Sequence, residues 1–342
     1  MVKNFIDTDH NASLVDPFNR NIDYLRISVT DRCDFRCVYC MAENMTFLPK
    51  VNLLTLEELY RLASLFIDCG IKKIRLTGGE PLVRKNIMWL IEQLSKKING
   101  NFLDELTLTS NGSQLSKYAY DLVKNNVNRI NVSIDTLNED LFKKITRWGD
   151  LRKVIEGIMV AKKAGLRIKI NTVALKGLND KEIPDIIKWA HDNDMDITLI
   201  ETMPMGDIDG DRTENYLSLS AYRATLEKYF TLSSCEYKTG GPSRYYICKE
   251  TGGILGLITP LSHNFCADCN RVRITCTGKM YMCLGQDDSV DFNSLMRSKA
   301  TDDDIINLIY QSIRMKPISH DFKIDKYNSQ PAVSRHMSVT GG

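Results

Sequence analysis

The sequence predicts an α/β fold built on a parallel sheet, because strand-like and helix-like segments alternate through the first two-thirds of the chain. Six short segments rich in Ile, Val, Leu and Thr have the composition of buried strands. They are Tyr24–Val29, Lys73–Thr77, Glu105–Thr109, Arg129–Ile134, Arg167–Val173 and Asp196–Thr202. Six successive βα units are too few to close a barrel, so we expect an open, partial β/α barrel. A doubly wound sheet is the alternative that the pattern leaves open.

Helix signals separate these strands. Thr55 and Glu58 have the spacing of a capping box, and Gly70 supplies a stop for the helix that follows them. Further helical patterns run from Ile87 to Ile98, from Asp150 to Gly165, and onward from Asp180. The functional edge of such a fold is the one at which the strands end and the βα loops begin.

The alternation stops after about Gly206. A stretch rich in Gly and Asp (Gly206 to Asp211) precedes a helix near Ala221–Tyr229, and short strands follow. We therefore predict a partial barrel over residues 1–215 and an α+β subdomain over residues 216–342 that closes its open side.

Composition and charge exclude several classes of partner. The chain has 342 residues, 43% hydrophobic and 26% charged, with a net charge of +2, so no basic excess points to nucleic acid or to a membrane surface. No apolar run is long enough to span a membrane, and the stretch from Met1 to Arg20 is too polar for a signal peptide. These features predict a cytoplasmic protein.

Ten cysteines are many for a cytoplasmic chain of this length. In a reducing compartment, clustered cysteines bind metal more often than they form disulfides. Three cysteines lie between residues 33 and 40, and four lie between residues 266 and 283. The isolated Cys69, Cys235 and Cys248 are expected to fill the core.

The first cysteine group, Cys33-x3-Cys37-x2-Cys40, follows the first predicted strand. Three thiolates on a short loop suit an iron–sulfur cluster, and three ligands for four irons leave one iron open to a small molecule. A structural zinc loop is the alternative, but no fourth Cys or His lies nearby.

A second motif, Gly78-Gly79-Glu80-Pro81, follows the second strand. Together with the cysteine loop and its aromatic Tyr39, it resembles the radical S-adenosylmethionine superfamily. The resemblance implies that the open iron chelates the methionine part of S-adenosylmethionine, whose reductive cleavage gives a 5′-deoxyadenosyl radical. It also implies cofactor contacts at Tyr39, Gly79, Ser133 and Met203.

The second cysteine group is Cys266-x2-Cys269-x13-Cys283, with Cys276 between. A four-cysteine zinc ribbon is one interpretation, and a three-cysteine cluster with an open iron is the other. Arg271 and Arg273 favour the second, since alternate residues of a strand share a face and two guanidinium groups suit a polyphosphate.

The two groups together resemble the molybdenum-cofactor biosynthesis protein A family, the GTP 3′,8-cyclases. The likeness extends to Thr109-Ser110-Asn111-Gly112, to the strand from Asn131 to Asp135, and to the terminal Gly341-Gly342. It implies two 4Fe–4S clusters, the second bound by Cys266, Cys269 and Cys283, with Cys276 a spectator.

The resemblance also implies that GTP binds between the clusters, with its guanine edge on the open iron of the second cluster. The matching contact positions are Arg26, Arg75, Thr109, Lys169, Arg271, Val272 and Arg273. Independently, Arg26, Arg75 and Lys169 lie within apolar strands, where a cation needs a counter-charge. A triphosphate would supply it, and buried carboxylates are the alternative.

The implied reaction begins with abstraction of the ribose 3′ hydrogen, after which C3′ attacks C8 of guanine. Reduction and protonation then give 3′,8-cyclo-7,8-dihydro-GTP, in the first step of molybdenum cofactor biosynthesis. The resemblance implies that Gly341 and Gly342 reach the active-site cavity and are needed for activity. It further implies a homodimer, an external electron donor, and transfer of the product to cyclic pyranopterin monophosphate synthase.

Two other functions remain possible on sequence alone. One is a radical S-adenosylmethionine enzyme that modifies a peptide and carries an auxiliary cluster. The other is a non-enzymatic zinc-binding scaffold, which predicts a colourless protein, whereas iron–sulfur clusters predict a brown one.

Overall fold

One mixed sheet of twelve strands organises the protein in the computed structural model, which describes residues 13–209, 211–324 and 331–341. The strands are β1 Tyr24–Ser28, β2 Lys73–Thr77, β3 Glu105–Ser110, β4 Arg129–Ser133, β5 Arg167–Ala174, β6 Asp196–Glu201, β7 Leu232–Ser234, β8 Arg244–Cys248, β9 Ile254–Ile258, β10 Arg271–Ile274, β11 Lys279–Tyr281 and β12 Ser289–Asp291. The six strands predicted from the sequence are confirmed to within one residue at each end.

The helices cover this sheet. They are α1 Leu56–Asp68, α2 Ile87–Asn99, α3 Leu115–Lys124, α4 Glu139–Thr146, α5 Leu151–Lys163, α6 Ile183–Asp192, α7 Leu219–Leu226, α8 Asn293–Met296, α9 Asp302–Arg314 and α10 Met337–Thr340. No helix among the described residues is long and apolar enough to cross a membrane.

The first six strands lie side by side in chain order and are all parallel. A doubly wound sheet reverses its strand order at a switch point. Because the order from β1 to β6 has no reversal, that alternative is wrong. The observed architecture is an α/β fold with a mostly parallel sheet.

The strands after residue 215 extend both edges of the same sheet. On one side β9 pairs in parallel with β6, and β8 and β7 follow it as antiparallel strands. On the other side β10 pairs in parallel with β1, and β11 and β12 follow. The second cysteine group has Cys266 and Cys269 before β10 and Cys283 after β11, so this pairing brings it beside the first strand.

The predicted capping box and the glycine stop are both present at the ends of α1. The Thr55 side chain accepts a hydrogen bond from the Glu58 N–H, and the Glu58 carboxylate accepts one from the Thr55 N–H, which completes the capping box. Gly70, after the helix end, has a φ of +107°. By contrast, α6 begins at Ile183 and not at Asp180, because the preceding turn is held by the Asn179 amide, which donates to the Asp135 and Val173 carbonyls.

All ten cysteines are free thiols. Cys69 and Cys248 are buried, as predicted, and belong to the main hydrophobic core between sheet and helices. The prediction for Cys235 is wrong, because this residue is only partly buried just after the short edge strand β7.

Candidate active site

A cavity opens beside the sheet, and residues from eight of its strands line it. It brings together all five predicted substrate-binding cations, which are Arg26, Arg75, Lys169, Arg271 and Arg273. The three predicted ligands of the second cluster, Cys266, Cys269 and Cys283, line the same cavity, as does Met203. Residues far apart in the chain therefore share one concave site.

Strand register explains how the arginines meet. Arg26 on β1 is directly opposite Arg75 on β2 and Arg273 on β10. Directly opposite residues in adjacent strands project to the same face of a sheet, so three guanidinium groups form a row. Arg271 joins them, since it lies two residues before Arg273.

Burial and the close approach of like charges lower the pKa values of several of these cations. Burial and the charge of Arg273 lower the pKa of Arg26, and burial with the charge of Arg271 lowers that of Arg273 to about 9. Burial and the guanidinium groups of Arg129 and Arg75 lower the pKa of Lys169 to about 7. The cavity thus carries a strong positive potential that an anion would relieve.

The alternative of buried carboxylate partners fails for most of these cations. Among the described residues, no ion pair involves Arg75, Lys169, Arg271 or Arg273. Arg75 instead donates to the Thr107 hydroxyl at 3.1 Å, and Lys169 donates to the Tyr245 hydroxyl.

The first cysteine loop follows β1, and Cys33, Cys37 and Cys40 are each partly buried. Burial raises the pKa of the Cys37 thiol, and it raises that of Cys40 to about 11, although the Ser338 N–H opposes this by donating to the Cys40 sulfur. Thiols in such a setting become thiolates when a metal supplies positive charge.

The glycine pair after β2 packs against this loop. A Cβ atom on Gly78 would lie 2.4 Å from the Thr30 carbonyl oxygen, and one on Gly79 would lie 2.3 Å from that of Arg32. The Gly79 N–H donates to the Thr30 carbonyl at 2.8 Å. The close approach that the sequence predicts for these glycines is therefore to the cysteine loop itself, made possible by the missing side chains.

Glu80 ties the loop to the next strand. Its buried carboxylate accepts hydrogen bonds from the Asn111 N–H at 2.6 Å and the Ser110 hydroxyl at 3.0 Å. Burial raises the pKa of Glu80 to about 8. The Asn111 side-chain amide in turn donates to the Asp34 carboxylate at 2.7 Å and lies 3.6 Å from the Cys33 sulfur.

Tyr39 and Asp135 connect the loop to the middle of the sheet. The Tyr39 hydroxyl donates to Asp135 at 2.7 Å, and the other Asp135 oxygen accepts from the Val173 N–H at 2.8 Å. Burial raises the pKa of Asp135 to about 6. Of the four predicted cofactor contacts, Met203 lines the cavity described above, whereas Tyr39, Gly79 and Ser133 lie outside its lining.

The second cysteine group has a basic setting. Burial opposes ionisation of Cys269, but the Arg271 guanidinium and the Lys316 ammonium lower its pKa to about 6. Cys276 is apart from this group: it is fully buried, its thiol accepts from Ser28, and Arg84 is its neighbouring cation. The four-cysteine zinc ribbon is therefore not supported.

No three His, Cys, Asp or Glu side chains among the described residues converge closely enough to hold one metal ion. A four-iron cluster does not require this, because each thiolate binds a different iron. The spacing of both cysteine groups is consistent with that kind of ligand set.

The C-terminal tail enters the same region. The Arg273 guanidinium donates to the Gly341 carbonyl, and a Cβ atom on Gly341 would lie 1.7 Å from the Thr77 hydroxyl oxygen. Gly341 has a φ of +74°, which favours glycine. Gly342 lies outside the described residues.

Two predicted substrate contacts do not reach the cavity lining. Val272 alternates with the two arginines of β10, so its side chain is buried in the hydrophobic core on the opposite face. Thr109 is also outside the lining, although its hydroxyl is buried without a hydrogen-bond partner among the described residues.

Several residues of the site were not predicted from the sequence, and four of them carry polar groups beside the predicted contacts. Arg129, Asn131 and Tyr245 line the cavity, and Lys316 contacts Cys269. Arg129 and Asn131 were detectable as polar residues in a predicted strand, in phase with each other. Tyr245 and Lys316 carried no such signal, because only tertiary packing brings their segments to the site.

Comparison with known proteins supplies the family. Residues 27–190 match the radical SAM superfamily, and residues 195–322 match the molybdenum cofactor synthesis C family. The chain is 64% identical over 331 residues to the GTP 3′,8-cyclase of Rhizobium etli, covering 96% of this chain and 94% of that protein. It is 60% identical over 329 residues to the enzyme of Brucella ovis, covering 96% of each. The chain belongs to the GTP 3′,8-cyclase family.

Solved structures agree on the fold. Streptococcus suis SuiB, in a crystal structure with S-adenosylmethionine bound, has a TM-score of 0.60 at 16% identity and covers 86% of this chain. The chain spans 65% of the SuiB chain, so the likeness concerns a part of that protein and shows the fold alone. Membership of the radical SAM superfamily implies one 4Fe–4S cluster and S-adenosylmethionine.

Proposed function

We propose that this chain is a radical S-adenosylmethionine lyase that converts GTP to 3′,8-cyclo-7,8-dihydro-GTP, the first step of molybdenum cofactor biosynthesis. The observation that carries this proposal is the convergence of three cysteines and five cations on one cavity. A polyphosphate nucleotide matches the cations, and an iron–sulfur cluster matches the thiols.

The donor sets fit the two proposed 4Fe–4S clusters. Cys33, Cys37 and Cys40 would hold the first cluster. Backbone N–H groups already donate to two of these cysteine sulfurs: that of Phe35 lies 3.4 Å from the Cys33 sulfur, and that of Ser338 donates to Cys40. Cys266, Cys269 and Cys283 would hold the second at the cavity wall. When bound, the first cluster and S-adenosylmethionine supply the radical chemistry that removes a ribose hydrogen.

The remaining cofactor contacts are proposed at the ends of the parallel strands. Tyr39, Gly79, Ser133 and Met203 would position S-adenosylmethionine against the first cluster. Each follows or ends a strand, at the edge where βα loops form binding sites. The Tyr39–Asp135 hydrogen bond orients the aromatic ring.

The nucleotide phosphates are assigned to the cations. Arg26, Arg75, Lys169, Arg271 and Arg273 would bind the triphosphate and offset its loss of hydration. Thr109 is proposed as a further contact through its hydroxyl, which has no hydrogen-bond partner in the described part of the chain, and Val272 through its backbone.

The base is assigned to the part of the cavity beside β10, with its guanine edge toward the second cluster. On the other side of the cavity, Asn131 on β4 and Thr198 on β6 each present a buried polar atom without a hydrogen-bond partner among the described residues, and these atoms are assigned to the rest of the nucleotide. Such atoms are costly unless a ligand satisfies them. Holding C3′ and C8 in one geometry is the protein's main contribution to ring closure.

We assign Gly341 and Gly342 to the active site, where the tail would complete the wall beside the first cluster. The Arg273 hydrogen bond to Gly341 places one predicted substrate cation and the tail in direct contact. Removal of the two glycines is expected to abolish turnover and leave both clusters in place.

The finer architecture and the partners are proposed as follows. Strands β1–β6 curve as an open six-unit barrel of residues 1–215, which residues 216–342 close. The enzyme acts as a cytoplasmic homodimer, takes electrons from an external donor, and passes its product to cyclic pyranopterin monophosphate synthase. The ten free thiols fit a reducing compartment.

The test is anaerobic reconstitution with iron and sulfide, followed by reduction and incubation with GTP and S-adenosylmethionine. The expected products are 5′-deoxyadenosine and the 3′,8-cyclic nucleotide in equal amounts. Formation of 5′-deoxyadenosine that does not depend on GTP, with no cyclic nucleotide, would overturn the proposal. Peptide modification is the competing function. SuiB has also been crystallised with the precursor peptide SuiA, but at 16% identity the likeness to SuiB concerns the fold alone and does not favour that function.

A further inference from the structure

Arg129, the first residue of β4, lines the cavity but belongs to none of the assigned contacts. The two terminal nitrogens of its guanidinium group have different surroundings. Nη2 donates to the Glu105 carboxylate at 2.8 Å, whereas Nη1 is buried without a hydrogen-bond partner among the described residues. Guanidinium groups carry five N–H donors, so one carboxylate oxygen cannot satisfy the whole group.

Arg129 lies in the electrostatic field of the other cations. After burial, its charge is the largest influence that lowers the pKa of Lys169 on β5, and it also lowers the pKa of Arg75 on β2. In sheet order, Arg129 on β4 and Lys169 on β5 lie farther from β10 and the second cysteine group than Arg75 on β2 does. Positive charge therefore continues along the cavity from the row on β10, β1 and β2 to β4 and β5.

The Glu105 partner does not neutralise this region fully. The Arg129 side chain is 13% exposed and the Glu105 side chain 34% exposed, so the carboxylate lies toward solvent while the guanidinium reaches inward. Glu105 holds one side of the guanidinium plane and leaves Nη1 for a second anion. Phosphate oxygens match this arrangement, because guanidinium groups bind phosphate through paired N–H donors.

We propose that Arg129 binds the terminal phosphate of the nucleotide and sets the preference for a triphosphate over a diphosphate. This inference rests on the proposed function, in which the guanine lies toward the second cluster beside β10. The phosphate chain then extends across the sheet toward β4 and β5, and its last phosphate reaches Arg129 and Lys169.

The test compares equilibrium binding of GTP, GDP and GMP to the full-length, reconstituted protein without reductant. In Arg129→Met we expect GTP affinity to fall about tenfold or more, GMP affinity to stay unchanged, and the preference for GTP over GDP to disappear. Arg129→Lys keeps the charge with fewer donors, and we expect an intermediate loss confined to GTP. Should Arg129→Met fail to fold, the lysine variant decides the outcome.

Two further variants separate binding from a structural role. Glu105→Gln removes the ion pair and keeps the cation, so GTP affinity is expected to be retained. Arg152→Ala removes an exposed arginine that pairs with Glu139, and nucleotide binding is expected to be unchanged. Equal losses for all three nucleotides in both Arg129→Met and Glu105→Gln would show that the pair is structural and would overturn the inference. Absence of GTP binding in the unaltered protein would instead overturn the proposed function.

Discussion

The Nζ atom of Lys316 lies 3.6 Å from the sulfur of Cys269. The same ammonium group donates to the carbonyls of Arg271 at 3.0 Å and Met282 at 2.6 Å. One buried cation therefore joins the Cys269 thiol to the backbone that follows Cys269 and to the backbone that precedes Cys283. Hydrogen bonds and charge near sulfur ligands govern the stability and potential of iron–sulfur clusters.

We therefore expect Lys316→Met to weaken the proposed second cluster. Iron content after reconstitution should fall from about eight to about four atoms per chain, because only the first cluster is retained. Iron analysis and the electron paramagnetic resonance spectrum of the reduced protein measure this. Lys323→Met, at an exposed lysine nearby, is the matched control. Full iron content with an unchanged spectrum in Lys316→Met would contradict the assigned role.

Gly78→Ala is expected to destabilise the first cysteine loop. The added Cβ atom meets the Thr30 carbonyl at 2.4 Å, and the φ of +152° disfavours alanine. We expect a loss of about 1–3 kcal/mol in the free energy of unfolding, measured by denaturant titration.

Gly165→Ala is the matched control for that substitution. Gly165 also has a positive φ, of +102°, but no atom lies within 4 Å of an added Cβ. It should therefore show the backbone cost alone, of about 1 kcal/mol. Equal losses in the two variants would mean that packing of Gly78 against the loop contributes nothing.

GTP affinity should depend on pH through Lys169. Burial and neighbouring cations lower its pKa to about 7 in the nucleotide-free protein, and a bound phosphate would raise it again. The protonated form binds GTP, so affinity is full below pH 7 and falls as the pH rises above 7. Binding near pH 8 should take up a proton, which calorimetry in buffers of different ionisation enthalpy detects. In Lys169→Arg, this uptake should disappear; if it persists, another group is responsible.

Gly341→Ala should reduce turnover while leaving both clusters assembled. The new methyl group would overlap the Thr77 hydroxyl oxygen, at 1.7 Å, and force the tail away from its position. We expect turnover to fall about tenfold or more, since small displacements of positioning groups are costly. Gly252→Ala is the control, because Gly252 has a similar φ of +69° with open space around it. Activity retained in Gly341→Ala would show that the tail's position is not needed.

Much of the fold was predictable because local signals and tertiary structure agree. The six strand boundaries and the Thr55 capping box follow from apolar patterning and from short-range hydrogen bonds, which depend on neighbouring residues alone. The placement of β9 and β10 on opposite edges was not predictable, since it depends on packing between segments far apart in the chain.

The residues of the site were likewise predictable from the sequence only where the signal is local. Motif spacing predicts Cys33, Cys37 and Cys40 as cluster ligands, and strand phase predicts that Arg271 and Arg273 share one face, and both line the cavity. The same phase placed Val272 in the core, and this could have been anticipated from its alternation with the two arginines.

By itself, the sequence determined the thiol chemistry, the alternating strands and helices, and the cations within apolar strands. These are local properties, set by residue type and spacing. Only the tertiary structure decided that Cys269 meets Lys316, that Arg273 donates to Gly341, and that Arg129 lines the cavity with one nitrogen that has no hydrogen-bond partner among the described residues. Such contacts join residues far apart in the chain, and their geometry is set by sheet register and packing, which no local pattern encodes.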